Sequence, residues 1–380
     1  MTNVVVVGGG VIGLSAAWRA AQRGLTVTVA DPSPGRGASH AAAGMLTPVS
    51  EAAYAEKELL AFGRASLERY PDFVSELAAV TGEQAGFRQT GTLQVGYDAD
   101  DLAVIDEVRV LQESLGLPVR QLTARECRKL EPMLDPSVRG GLLVENDGSV
   151  DPRLLTRALL TAVRRAGARL IEAPAEEILT EAGTGRATGV RLADGTRIPA
   201  DWVVVAAGWK SAGLAGLAPG CTPPVRPVKG QILRLRASDG LLGRTVRGVV
   251  KGSSVYLVPR ESGELVVGAT QEEIGADTRV TAGGLWELLR DARALVPGIT
   301  ELEFAEAVAR LRPGSPDNAP VLGPSGQPGV VLATGHFRNG VLLAPVTADV
   351  IADYLASGRL REVAAHLTIA RFRRGGEAPE

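Results

Sequence analysis

Three glycines near the start of the chain set the first chemical possibility. Gly8, Gly10 and Gly13 form a G-x-G-x-x-G run that follows the β-branched stretch 4–7 and opens a helical stretch, residues 14–23, closed by Gly24. Gly8 permits a tight turn, Gly10 lets the backbone approach a pyrophosphate with no Cβ in the way, and Gly13 lets the helix pack close to the strand. The helix N-terminus then offers N–H groups and the positive end of its dipole to phosphates. Asp31 ends the second strand, 18 residues after Gly13. Its carboxylate suits ribose hydroxyls and repels a 2′-phosphate, which argues against NADP. A second feature lies late in the chain, at 335–342. There a Gly-flanked turn precedes a helix and would aim N–H groups at an electron-poor ring, stabilising negative charge at the N1–C2=O edge of a reduced flavin. Together the two features select FAD over a nicotinamide.

The elements that must position these residues can be read coarsely. Residues 4–30 make one βαβ unit ending at Asp31-Pro32, which implies a parallel sheet with right-handed crossovers. A Gly/Ser/Ala loop follows at 35–44, and helical stretches are expected at about 52–80 and 102–115. Thr123 and Glu126 have capping-box spacing on a short helix, and Asp151-Pro152 opens another helix that runs to Gly167. Strands are expected at 170–171, 178–179, 189–192 and 202–206. Between 226 and 270 the pattern changes to short strands at 232–235, 255–258 and 265–267, joined by turns, which reads as antiparallel sheet. A last strand at 329–333 and a helix over about 341–355 return to the first pattern. The expected fold class is therefore α/β. It comprises an FAD-binding Rossmann-like domain of the glutathione reductase type, assembled from 1–84, 141–222 and 311–366. An α+β substrate domain with a mainly antiparallel sheet is formed by 85–140 and 223–310, and 367–380 is a tail.

Composition narrows the partners. The 380 residues are 45% hydrophobic and 22% charged, and 41 basic against 43 acidic residues leave a net charge of −2. Nothing there points to nucleic acid or an anionic membrane. Cys127 and Cys221 form no CxxC or Cys/His cluster, so two free thiols and no metal are expected. No stretch of about 18 apolar residues is seen, the first strand begins by about Val4, and the default address is the cytosol. His40 and His366 have no chemical context, and Glu272 and Glu273 read as a solvated turn.

The motifs VVVVGGGVIGLSAA (4–17), HAAAGML (40–46), PVKGQ (227–231), YLVPR (256–260), GELVVGAT (263–270), RLRPGSPDNAPVLG (310–323) and ATGHFRNGVLLAP (333–345) resemble the D-amino-acid oxidase superfamily of FAD enzymes. Within it they are most similar to the glycine oxidases of thiamine biosynthesis. The resemblance implies roles. Gly8, Gly10, Val11, Ile12, Gly13 and Asp31 would hold the ADP half of FAD. Ser39, Ala43, Gly44 and Met45 would lie along the pyrophosphate and isoalloxazine, with Met45 also facing substrate. Ala175 would approach the adenine side, and Gly208 would form a second glycine turn near FAD. His336, Phe337, Arg338, Asn339, Gly340, Val341 and Leu342 would contact the flavin ring, with His336 contributing backbone rather than acting as a base.

Arg312 would grip the amino-acid carboxylate, Tyr256 would stand beside it and Arg338 at the edge of the site; these three are the catalytic and substrate-binding candidates. A carboxylate in a mostly apolar pocket needs a planar, two-pronged partner, which is Arg rather than Lys. The resemblance further implies hydride transfer from Cα to flavin N5, and reoxidation by O2 to hydrogen peroxide. Glyoxylate and ammonia would be released, or the glycine imine would pass to the thiazole-forming enzyme. It also implies a homo-oligomer, with a tetramer among the options. A D-amino-acid dehydrogenase, or a sarcosine or other amine oxidase of the same superfamily, stays open as an alternative. Ser254 and Gln271 sit near the expected pocket, where relatives vary.

Sarcosine-type oxidases carry a flavin-bonding cysteine before the late flavin loop, and the corresponding stretch here, 310–317, has none. FAD is therefore expected to be non-covalent. Acid precipitation should leave all yellow colour in the supernatant; colour that stays in the pellet contradicts this.

Overall fold

The structure, a computed structural model, describes residues 1–53, 56–237 and 240–373. The end of the expected tail, 374–380, and two residues of the expected helix at 52–80 lie outside them. Among the described residues, two large sheets carry the fold. The first has six strands in the order Val321–Pro324, Val330–Thr334, Trp202–Val205, Asn3–Val7, Thr26–Ala30, Arg169–Ile171. All pairs are parallel except that of the first two strands. Asn3–Val7 is central because all four of its valines are buried. Val4 and Val6 face one side of the sheet with helices Val11–Gln22, Lys57–Thr81, Pro152–Arg165 and Gly340–Ser357, and Val5 and Val7 face the other. That second face is covered by a small antiparallel sheet of Ala175–Thr180, Ala187–Leu192 and Arg197–Pro199. A continuous β-branched run is what a strand buried on both faces requires.

Local signals hold up where side chains cap backbone. Thr123 and Glu126 form the capping box of Ala124–Leu130. The Asp151 carboxylate accepts from the Arg153 and Leu154 N–H groups at the head of Pro152–Arg165. Gly82, with φ of 74°, closes Lys57–Thr81.

The second sheet has eight strands in the order Glu303–Gly314, Arg226–Arg236, Glu264–Gly268, Ser253–Pro259, Thr245–Val250, Thr92–Gly96, Gly140–Val144, Arg120–Thr123. It is antiparallel apart from the pairing of Thr245–Val250 with Thr92–Gly96. Two strands cross the boundaries drawn from sequence. Gly140–Val144 bonds to Thr92–Gly96 and Arg120–Thr123, so residues 141–144 side with this sheet rather than with the 141–222 segment. Glu303–Gly314 runs unbroken past 310 because its whole length pairs with Arg226–Arg236, with one bulge. Glu303–Gly314, of 12 residues, was not expected as a strand, and Arg226–Arg236, of 11, was expected only over 232–235, because Arg, Glu, Lys and Pro residues interrupt the apolar pattern of both.

The segment Phe337–Ser357 is long and apolar enough by composition to cross a membrane, with a mean hydropathy of 1.3. Its apolarity serves the interior instead. Leu343, Ala344, Ala348, Val350, Ile351 and Ala352 are all fully buried against the other core helices. Cys127 and Cys221 are free and buried, and burial pushes the Cys127 thiol up to about 11.

The tightest packing in the first sheet is at its opening turn. A Cβ on Gly13 would lie 1.9 Å from the Gly8 carbonyl oxygen, and one on Gly8, where φ is +112°, would lie 2.3 Å from the Ala206 oxygen. Gly13→Ala is expected to destabilise the fold by about 2 kcal/mol or more, and to lower the flavin-to-protein ratio with it. Thermal melting and flavin absorbance check this. Unchanged values of both would contradict it.

Candidate active site

The two sheets face each other across a cleft of about 1610 Å³. One wall begins at the carboxyl end of Asn3–Val7, where ligands sit in open parallel sheets. Gly8, Gly10, Val11, Ile12 and Asp31 line it, as do Ser39, Ala43, Gly44, Met45, Ala175 and Gly208. Above Gly10 the space is open: a Cβ there would meet only Ser39 Oγ, at 3.4 Å. Ser39 Oγ accepts from the Val11 N–H at 3.0 Å, tying the helix start to the next segment. One Asp31 oxygen accepts from Gly9 N–H and the other from Ser33 N–H, both at 2.7 Å, which leaves lone pairs for a sugar. Arg260 braces the Ala43–Gly44 turn, donating to the carbonyls of Ala43 and, at 2.9 Å, Val150. Open space over a glycine turn, a helix N-terminus and a nearby carboxylate together fit a dinucleotide.

The late loop supplies the middle of the cleft. His336, Phe337, Arg338, Gly340 and Val341 line it. Gly13, Asn339 and Leu342, expected among the cofactor contacts, do not reach this wall. Gly13 is spent on helix packing, and Asn339 and Leu342 turn toward Leu59, Leu60 and Gly63 of Lys57–Thr81. The His336 ring is buried, lies 3.1 Å from Thr347 Oγ1 and is driven by burial to a pKa of about 3. It stays neutral at working pH and holds the loop to the terminal helix.

The opposite wall is the eight-stranded sheet. Arg312 and Tyr256 both line the cleft. Arg312 Nη1 donates to the carbonyls of Lys229 (3.3 Å) and Thr270 (3.1 Å), and no carboxylate of the described residues pairs with it. Burial raises the Tyr256 phenol above its ordinary value, and the neighbouring Arg312 charge opposes that rise. Arg338 is different: its Nη2 lies 2.6 Å from Glu56 and its Nε 3.6 Å from Glu51. Glu51 also pairs with Arg247, which stands opposite Tyr256 in the sheet register. Among the described residues, Arg312 alone of these three arginines lacks a carboxylate partner. Glu272 is not a solvated residue as expected. It lies 3.2 Å from the fully buried Lys229 ammonium and accepts from Gln231 (2.7 Å) and Thr270 (2.6 Å). Glu273 does sit on the surface, paired with Arg226.

Sequence reading missed Glu51, Arg247, Arg260 and Asp147. An arginine inside the apolar strand Thr245–Val250 was a usable signal; Glu51 offered none. Ser254 and Gln271, expected near the pocket, do line it.

Fold and site together define an FAD-dependent oxidoreductase. The chain belongs to the FAD dependent oxidoreductase (DAO) family, whose sequence profile matches residues 3–354. It is 34% identical over 362 residues to a glycine oxidase of Bacillus licheniformis, covering 93% of this chain and 92% of that one. It is 32% identical over 372 residues to a bifunctional protein ThiO/ThiG of Trichormus variabilis, covering 98% of this chain but only 55% of that protein. The chain thus spans about half the length of such two-part relatives. The crystal structure of glycine oxidase from Geobacillus kaustophilus superposes with a TM-score of 0.89 at 32% identity, covering 99% of this chain and 100% of that one.

Asp147 gives this site a measurable pH signature. It is fully buried behind the cleft and accepts from Ser50 Oγ, one residue before Glu51. Burial raises its carboxyl from 3.8 to about 7, against the pull of the Ser50 and Thr92 hydroxyls and the Arg247 charge. The folded state therefore holds an extra proton between those two values. The stability this gives is full below about pH 4 and is lost as pH rises to about 7. Asp147→Asn should raise Tm more at pH 8 than at pH 4. Melting curves that stay parallel across that range would contradict the assignment.

Proposed function

We propose that this chain oxidatively deaminates glycine and other small amines or D-amino acids with FAD, in the cytosol. The observation that carries the reading is Arg312, a cation presented to the cleft with no carboxylate partner among the described residues, beside the Tyr256 hydroxyl. An amino-acid carboxylate completes that pair, with two parallel N–H donors from the guanidinium and one O–H from the phenol. Gripping the carboxylate fixes where Cα lies and removes its freedom to turn away. Arg338 and Arg247, already matched by Glu51 and Glu56, hold the segment that borders the substrate rather than compete for its carboxylate. His336 is neutral and bonded to Thr347, so the chain offers no histidine base here, which suits an amine that binds uncharged.

The first wall would hold the cofactor: Gly8, Gly10 and Asp31 its nucleotide half, and Met45, Gly340 and Val341 its ring. When bound, FAD supplies the two-electron acceptor, and its reoxidation by oxygen releases hydrogen peroxide. The organic product is the imine, which hydrolyses to glyoxylate and ammonia when glycine is the substrate. Relatives in which a chain of this kind is joined to a second region, as in ThiO/ThiG, support a hand-off of that imine to the thiazole-forming enzyme of thiamine synthesis.

Peroxide release in air from the purified protein, with glycine, sarcosine and a D-amino-acid panel, tests the reading. Peroxide with glycine supports it. Flavin bleaching without peroxide would move it to a dehydrogenase. Arg312→Ala is expected to cost about 3 kcal/mol in transition-state binding, roughly a hundredfold or more in kcat/KM. An unchanged kcat/KM would remove Arg312 from the mechanism.

A further inference from the structure

Two glycines stand where side chains would displace both groups that grip the substrate. Gly230 lies in Arg226–Arg236, opposite Arg310 in register and two pairs from the Val228–Arg312 pair. A Cβ there would sit 2.3 Å from Arg312 Nη1 and 2.4 Å from its Cζ and Nη2. Gly268 lies opposite both Ile232 and Tyr256. A Cβ there would sit 2.4 Å from the Tyr256 hydroxyl oxygen and 2.5 Å from its Cζ. Ordinary contacts between such atoms are about 3.5 Å or more. Neither glycine is among those with positive φ, so no left-handed backbone conformation calls for glycine at either position. Strand interiors also disfavour glycine, which loses more chain entropy than alanine on folding. Directly paired residues share a face of an antiparallel sheet, and so do residues two apart on one strand. Gly230, Ile232, Gly268, Tyr256 and Arg312 therefore share the face that forms the cleft wall.

We propose that Gly230 and Gly268 are positioning residues, whose missing side chains leave berths in which the Arg312 guanidinium and the Tyr256 phenol lie against the sheet in the pose that receives the carboxylate. The proposal rests on the carboxylate-gripping reading above. The atoms a Cβ would meet are the far ends of two side chains, not backbone. Adding a methyl group therefore moves the guanidinium or the phenol and leaves the strands in place. A glycine kept only for the fold would give the opposite result, a loss of stability with the site intact.

The experiment uses purified holoenzyme and glycolate, the hydroxyl counterpart of glycine, titrated against the visible spectrum of the bound flavin. Wild type should saturate. Gly230→Ala should bind glycolate about tenfold more weakly or worse, with Tm unchanged or raised. In an Arg312→Ala background the same glycine change should alter affinity by less than about twofold, because the displaced group is gone. Gly268→Ala should behave in the same way against Tyr256→Ala. Wild-type affinity in Gly230→Ala, or an equal loss in both backgrounds, would overturn the berths while leaving the carboxylate grip standing. If Gly230→Ala alone gives no soluble holoenzyme, Gly230→Ala/Arg312→Ala must restore it, and failure to do so also overturns the proposal. A wild-type enzyme that ignores glycolate would reject the carboxylate grip, and the berths with it.

Discussion

A positive charge that the chain brings into the cleft without neutralising it governs the rest of this structure. Arg312 is anchored by two backbone carbonyls, those of Lys229 and Thr270, which fix its direction but not its charge. An ion left without a counter-charge away from bulk water is unfavourable. The surrounding groups are arranged so that the imbalance stays with Arg312. Glu272 matches Lys229 directly behind it, and Glu51 and Glu56 match Arg247 and Arg338 around it. Among the described residues, a carboxylate that would quench Arg312 is absent. The vacancy in charge is filled most simply by an amino acid.

That placement explains the long pair of strands. A guanidinium at the end of a flexible side chain reaches one fixed point only if its strand is held along its length. Glu303–Gly314 is paired with Arg226–Arg236 through almost all of both. The carbonyls that receive Arg312 belong to that partner strand and to the segment just after Glu264–Gly268. The parallel sheet makes a complementary demand. Its valine core and the Gly8–Gly13 contact bring a helix N-terminus to the cleft, and the turn at 335–341 closes the space between the walls. The arrangement of the cleft thus depends on two sheets with different rules, one offering backbone N–H groups and the other side chains.

What the sequence made legible follows from how local each feature is. The glycine fingerprint, the Thr123 capping box and the Asp151 cap are each set by residues within a few positions of each other, Asp31 is set by its place at the end of the second strand, and each is present. Arg312 and Tyr256 were assigned by resemblance, and the fold brings them to one cleft. The features that escaped are long-range. Glu51 meets Arg247 across 196 residues and Arg260 meets Ala43 across 217, and no spacing rule links such pairs. Asp147 is buried because Thr92–Gly96 and the Ser50 segment close over it, which its own exposed-looking Asn-Asp-Gly setting hid. Gly140–Val144 reads equally well for either sheet, since a short apolar strand carries no record of its partners. Asn339 and Leu342 were placed on the flavin side because the loop was read as a unit. Helical geometry instead turns successive residues to different faces.

The central claim is that Arg312 is the carboxylate anchor, and a crystal structure of the holoenzyme with a bound amino-acid analogue tests it most directly. The account predicts both carboxylate oxygens within about 3 Å of the Arg312 guanidinium nitrogens, with the Tyr256 hydroxyl on one of them and Arg338 still paired with Glu56. A carboxylate seated on Arg247 or Arg338, with Arg312 left facing only Lys229 and Thr270, would contradict it.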